Sequence, residues 1–243
     1  MKLGPRYLLY GIVTLALVGI ILLANNLKTE DEEYNPIINP SDFVNKINNP
    51  YYSLIPGTIF EYESETDEGM EKNVVIVTNK SREILGIKAI EVLDRVWLDD
   101  ELIEETYDWY AQDSEGNVWY LGEDSREYEN GKVASTKGSW EAGIDGAKPG
   151  IIMKANPKIG DSYRQEYYKG EAEDMADVVS LGESVEVPYG IFNNCIKTRD
   201  WSKIDSKQNE HKYYCPKIGA VVLEISIESG ERVDLVNFTK GNI

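Results

Sequence analysis

The residues able to do chemistry are unevenly represented. One histidine, His211, and two cysteines, Cys195 and Cys215, stand against 43 acidic residues. A nucleophilic serine or cysteine needs a base beside it, and His211 is the only imidazole available. It lies in the strand-like run Glu210-His211-Lys212, where a half-exposed strand position accounts for it as well as a ligand contact does. No Gly-x-Ser-x-Gly elbow, phosphate loop or zinc-ligand set is present, so no cofactor is expected. Hydrolysis by paired carboxylates is a third-ranked reading, because acid pairs occur throughout so acidic a chain. The expected chemistry is therefore non-covalent binding, and the chain is not read as an enzyme.

Two acidic groupings are candidates for a cation. Asp113-Ser114-Glu115-Gly116-Asn117 places oxygens at alternate positions, with Asp124 at the twelfth. The sixth position is Val118 where a calcium loop needs glycine, so a β-turn explains the run better. Glu171, Glu173 and Asp174, with Asp177 nearby, fall in an expected loop where carboxylates are free to converge. The competing reading of that cluster is a solvated charged turn. Five Trp and sixteen Tyr are the remaining signal. Most should fill a core. The functional alternative is an aromatic cleft with a few polar tips, the usual lining of a small-molecule site. Tyr110, Trp140, Glu166, Tyr168 and His211 are the candidate ligand-binding residues, combining large rings with groups that orient a ligand.

These side chains must be positioned by strands. Aromatic-rich runs at Tyr107–Gln112 and Val118–Leu121 flank the turn residues Asp113–Asn117, the pattern of a β-hairpin. Phe60 and Tyr62 alternate with Glu61 and Glu63, as in a half-buried strand. Turns are expected at Asp67-Glu68-Gly69, at Asp99-Asp100-Glu101, and at Asn130-Gly131, the strongest short hairpin signal. Further strands follow at 162–169, 178–187, 191–201, 210–215, 220–228 and 231–238. The expectation is an all-β domain of about a dozen antiparallel strands in meander order over residues 49–243. Residues 140–161, rich in glycine and proline, are expected to form a long functional loop.

Cys195 and Cys215 are placed symmetrically about residue 205, inside the polar segment Ser202–Asn209. If 190–201 and 210–215 are hairpin arms, the two face each other and a disulfide follows; two unpaired buried thiols are the alternative.

The amino terminus supplies an address. Lys2 and Arg6 precede the uncharged run Tyr7–Ala24, which is followed by Lys28 and then Glu30-Asp31-Glu32-Glu33. That run is long enough to span a bilayer, and the charge asymmetry leaves the amino end in the cytoplasm and the body outside the cell membrane. An uncleaved transmembrane anchor at 1–24 is expected, with a removed signal peptide and secretion as the alternative. Residues 25–48 read as an acidic tether, with Ser41–Ile47 allowing a capped helical turn or two. A formal charge of -18 argues against nucleic acid as a partner.

Tyr189-Gly-Ile-Phe-Asn-Asn-Cys195 and Glu210-His-Lys-Tyr-Tyr-Cys-Pro-Lys-Ile-Gly-Ala-Val221 resemble a pattern of uncharacterised exported, lipoprotein-like β proteins. The hairpin at 108–124, the 140–155 loop and Arg164–Asp174 resemble the same family, so the likeness covers about residues 50–238. The Gly-Phe-Cys and Tyr-Tyr-Pro-Gly elements are also similar to lipoproteins of the LolA-like fold. That resemblance implies a single strongly curled antiparallel sheet, a half-barrel, with an apolar concave face. An apolar or amphipathic small molecule held there, with 140–155 as lid, is the expected function. The alternative is an interaction subunit that docks on a membrane-protein partner or cell-surface complex.

Overall fold

The computed structural model describes residues 34–241. The expected anchor Tyr7–Ala24 lies outside them, and no helix among the described residues is long and apolar enough to cross a membrane. Pro36–Ile243 form one compact unit. The latter part of the expected tether therefore belongs to the folded body. A single 3-10 turn, Pro40–Asp42, is capped by Asn39, whose side chain accepts from the Ser41 N–H at 3.3 Å. Extended chain follows at once, as β1 (Phe43–Val44) and the small hairpin of β2 (Ile47–Asn49) and β3 (Tyr52–Leu54). The helical turn expected over 41–47 is replaced beyond Asp42 by strand, because Phe43 and Ile47 find apolar partners in the sheet.

The first meander is β4 (Ile59–Thr66), β5 (Gly69–Ile84), β6 (Ile87–Leu98), β7 (Glu101–Asp113) and β8 (Val118–Glu129). Its turns are chemical in origin. Asp99 and Asp100 both adopt positive φ, 47° and 68°, between β6 and β7. Asn130 and Gly131 do the same, at 52° and 70°, between β8 and β9 (Lys132–Ser135). Both residue pairs tolerate the left-handed region that a two-residue hairpin requires. Asp113 organises the β7–β8 turn, accepting from the N–H groups of Gly116 and Asn117 at 2.8 and 2.9 Å and from the Trp119 indole at 2.8 Å. Its oxygens are thus committed to the turn.

The region expected as a long loop is partly sheet. It holds β10 (Trp140–Glu141) and β11 (Lys148–Met153), and β11 pairs with β8 on one side and β13 on the other. Glycines surround Ile151-Ile152-Met153, but this apolar run forms a strand, and Met153 is fully buried. Gly150 has a steric role here: a Cβ at this position would lie 2.2 Å from the Gln165 backbone. The segment is a paired strand, which corrects the lid expected over 140–155.

Two very short strands, β12 (Ser162–Arg164) and β13 (Glu166–Tyr167), precede the second meander. That meander is β14 (Asp174–Val187), β15 (Gly190–Ser202), β16 (Asn209–Cys215), β17 (Ala220–Ser226) and β18 (Arg232–Thr239). The meanders are joined by β18 pairing with β4, from Asp234 opposite Glu63 to Thr239 opposite Ile59. The sheet path runs β12-β14-β15-β16-β17-β18-β4-β5-β6-β7-β8-β11-β13. Its two ends, β12 and β13, are separated in sequence only by Gln165, whose N–H donates to the Asp174 carbonyl at 2.8 Å. The all-β, antiparallel, curled sheet expected is present, and it curls until it is nearly closed.

Cys195 and Cys215 are disulfide-bonded, one rung beyond the Ile196–Tyr214 pair and in the register the symmetry about residue 205 requires. The bridge closes a loop of sequence separation 20. Replacing both cysteines with alanine should lower stability by about 3 kcal/mol, read as a shift of the urea midpoint.

Candidate functional site

Strand alternation aims one row of each meander into the curled sheet, and that interior is not filled. Two chambers occupy it, of about 500 and about 220 Å3. Tyr110 on β7, Ile152 on β11 and Lys212 on β16 line both, so the chambers adjoin across these three side chains. Leu54, Phe60, Val75, Val92 and Val233 give the smaller chamber an apolar wall. The larger chamber is faced by Glu123 from β8, Glu166 from β13 and Asp174 from β14. Its rim carries Lys137, Glu171 and Asp205. The concave face is thus apolar only in part, which corrects the implied apolar lining.

Aromatic rings run from one chamber to the other. Trp140 stands edge-on to Tyr120 at 5.3 Å, Tyr120 stacks on Tyr110 at 4.7 Å, and Tyr52 meets Tyr110 edge-on at 5.4 Å. Their polar tips hold the acids. The Trp140 indole N–H donates to Glu166 Oε2 at 2.9 Å, and the Tyr120 hydroxyl donates to Asp108 Oδ1 at 2.5 Å. The Asn73 amide donates to Asp94. Gln165 Nε2 donates to Asp200 Oδ2 at 3.0 Å.

Burial raises the proton affinity of these carboxyls, because a charge removed from water loses its hydration. Asp94, Asp108, Glu123 and Glu166 are pushed up to about 8. After burial, the largest cause in each case is a neighbouring carboxylate: Asp108 acts on Asp94, Glu123 on Asp108, Glu166 on Glu123 and Asp174 on Glu166. The acids therefore form one electrostatic chain linking the chambers. Tyr120, Trp140 and Asn73 hydrogen bonds pull the other way without prevailing. At the far side Lys212 Nζ lies 2.9 Å from Glu210 and 3.4 Å from Glu224. Burial lowers the ammonium's pKa, but Glu210, Glu224 and Asp200 together hold it well above the ordinary value. Burial likewise pushes Glu224 up to about 7.

The structure brings three of the expected ligand-binding residues together. Tyr110 and Glu166 line the cleft, and Trp140 stands behind Glu166 and orients it. Tyr168 does not line either chamber; it packs against the core, and its backbone bridges Ala172. His211 is on the other side of the sheet. Glu210, Lys212 and Tyr214 alternate inward on β16, so His211 faces outward, directly across from Arg199. Burial and the charges of Lys197 and Arg199 lower its pKa.

The acidic cluster expected to bind a cation is dispersed. Glu171 is on the cleft rim, while Glu173 accepts from the Gly170 N–H at 2.9 Å and lies 3.7 Å from Arg164. Asp174 faces the interior. Among the described residues no three acids, histidines or cysteines are grouped to hold a metal ion. Asp94, Asp108, Glu123, Lys212 and Glu224 were missed. Asp108 carried a readable signal: it is two residues before Tyr110 and shares its strand face.

Fold and site together define a nearly closed, curled β-sheet with an interior of tyrosines and carboxyls around one ammonium. No protein-family model, curated protein or solved structure matches the chain.

Proposed function

We propose that this is a membrane-anchored, extracytoplasmic β domain that holds an amphipathic small molecule non-covalently inside its curled sheet. The observation that carries this reading is the adjacency of two unlike chambers that share Tyr110, Ile152 and Lys212, one polar and acidic, the other walled by Leu54, Phe60, Val75, Val92 and Val233. A molecule with a polar head and an apolar body matches both, and the larger chamber has the volume of an ordinary ligand site. The apolar run Tyr7–Ala24, the disulfide and the likeness to exported, LolA-like β proteins support the address and the class.

The test is native mass spectrometry of residues 30–243, exported so that the disulfide forms, with extraction of any co-purifying molecule. An amphiphile at near-unit stoichiometry is the expected result. A clean unliganded mass, with no gain on adding amphiphiles, would instead favour the docking subunit. A second reading, a carboxylate-dependent hydrolase, is favoured by one observation: Glu123 and Glu166 face the same chamber with raised proton affinity, as a general acid requires. Turnover abolished by Glu123→Gln or Glu166→Gln would support it over binding alone.

A further inference from the structure

We propose that the interior exchanges protons for a cationic head group: a ligand with a fixed positive charge enters the larger chamber as the facing carboxyls give up protons to the solvent. This rests on the binding reading above and names the charge of its ligand and the regulation of its affinity.

Three strands, β8, β13 and β14, bring Glu123, Glu166 and Asp174 to one cavity. The ammonium that lines it from β16, Lys212, is already engaged by Glu210 and Glu224. Its charge also reaches Asp94 and Asp174, so one ammonium is shared among more carboxyls than it can neutralise. Asp200 on β15, only 4 % exposed, lies behind the lining residue Gln165, which donates to its Oδ2. The interior thus holds an excess of carboxyls over ammonium groups. Tyr110 and Tyr120 also line this chamber, and an aromatic ring attracts an organic cation that reaches its face. An anionic head would meet the same wall with repulsion.

The remaining groups around the cavity decide what titrates. On β6 and β7 these are Asp94 and Asp108, with Tyr110 beside them. On β8 they are Tyr120, Glu123 and, toward the rim, Glu127. Tyr52 and Tyr62 face the smaller chamber from β3 and β4, and Tyr214 from β16. Burial holds all five of these tyrosines above their ordinary value, so they stay neutral. Lys212 stays charged, and so does Glu210, which its ammonium holds below the ordinary value despite burial. Lys137, Glu171 and Asp205 stand at the rim. Between weakly acidic and weakly alkaline pH, the groups left to change state are Asp94, Asp108, Glu123, Glu166 and Glu224, with Asp174 and Asp200 raised beside them. The exchange balances: each carboxyl O–H that breaks sends one proton to bulk water, and the carboxylate left behind neutralises the incoming cation.

The test uses the full chain in phosphatidylcholine nanodiscs, with empty nanodiscs as blank. Three probes share one chain length: hexyltrimethylammonium, hexanol and hexanoate. The ammonium carries no titratable proton, so any pH dependence belongs to the protein. Calorimetry between about pH 6 and about pH 8 should show its affinity rising roughly tenfold per pH unit for each proton released. The heat should also differ between phosphate and Tris, which take up released protons with different enthalpies. Glu166→Gln and Glu123→Gln should flatten the pH dependence, and the buffer comparison on the unsubstituted chain stands even where a variant fails to fold. Ammonium binding that is independent of pH and buffer overturns the exchange while leaving amphiphile binding intact. Equal affinity for hexanol and ammonium at the higher pH overturns it also. Failure of all three probes to bind removes both this inference and the reading on which it rests.

Discussion

Lowering the pH from about 8 to about 5.5 should stabilise this protein, raising its melting temperature by roughly 10–20 °C. The sign follows from the interior acids. Asp94, Asp108, Glu123 and Glu166 hold their protons up to about 8 in the folded state, and Glu224 up to about 7. In the unfolded chain the same groups ionise near 4. Between those limits the folded state binds more protons, so stability falls as pH rises through the window. One excess proton is worth about 1.4 kcal/mol per pH unit. Because the acids repel one another their shifts are shared, and an average excess of about two protons across about two units gives roughly 5 kcal/mol. Below about 4 the trend reverses. Glu210, held below its ordinary value by Lys212, then protonates, and its contribution is lost as pH falls through its folded value. Melts followed by circular dichroism at constant ionic strength would trace the profile. A curve that is flat or rising from 5.5 to 8 would mean the interior acids are hydrated and ionised.

Lys212→Met should cost about 3 kcal/mol at pH 8 and distinctly less at pH 5.5. The Lys212 side chain is half-buried, and its ammonium compensates two half-buried carboxyls, Glu210 at 2.9 Å and Glu224 at 3.4 Å. Methionine keeps the unbranched stem as far as Cε and removes the charged tip, so the acids lose their counter-ion while the packing of the stem is retained. At lower pH protons take over that role, which is why the cost shrinks. The double variant Lys212→Met/Glu224→Gln should recover part of the loss, since it removes one of the uncompensated groups. Urea unfolding at the two pH values measures all three quantities. An equal cost at both would assign Lys212 a packing role only.

The local parts of this architecture were legible because their causes are local. Asn130-Gly131 and Asp99-Asp100 adopt the positive φ values that their turns demand, and Asp113 supplies its own turn with an acceptor. The placement of Cys195 and Cys215 about one turn gave their pairing. The pairing of β18 with β4 had no such signal, because neither strand carries a mark of its partner across the length of the domain. β11 was hidden by the glycines around it, one of which is required by the close approach of the Gln165 backbone. At the site, Tyr110, Trp140 and Glu166 were reachable from their types. The interior acids were not, since in a chain with 43 acidic residues burial alone separates Asp94 or Glu123 from a surface carboxylate. His211 was misplaced by rarity: its strand position aims it outward, and Lys212 next to it occupies the interior.

The β18–β4 pairing also sets an order of events. Contacts between the first and last long strands of a domain form late, because the intervening chain must be brought together before they are rewarded. A chain that emerges amino end first completes β4 long before Arg232–Thr239 exists to pair with it. Until then β4 and β17 each present an open edge, the kind of surface that joins strands of other molecules. The last rung of the sheet is therefore the step that makes the protein safe to leave unattended, and a chain cut short before Arg232 should aggregate rather than fold to a smaller version of the same body.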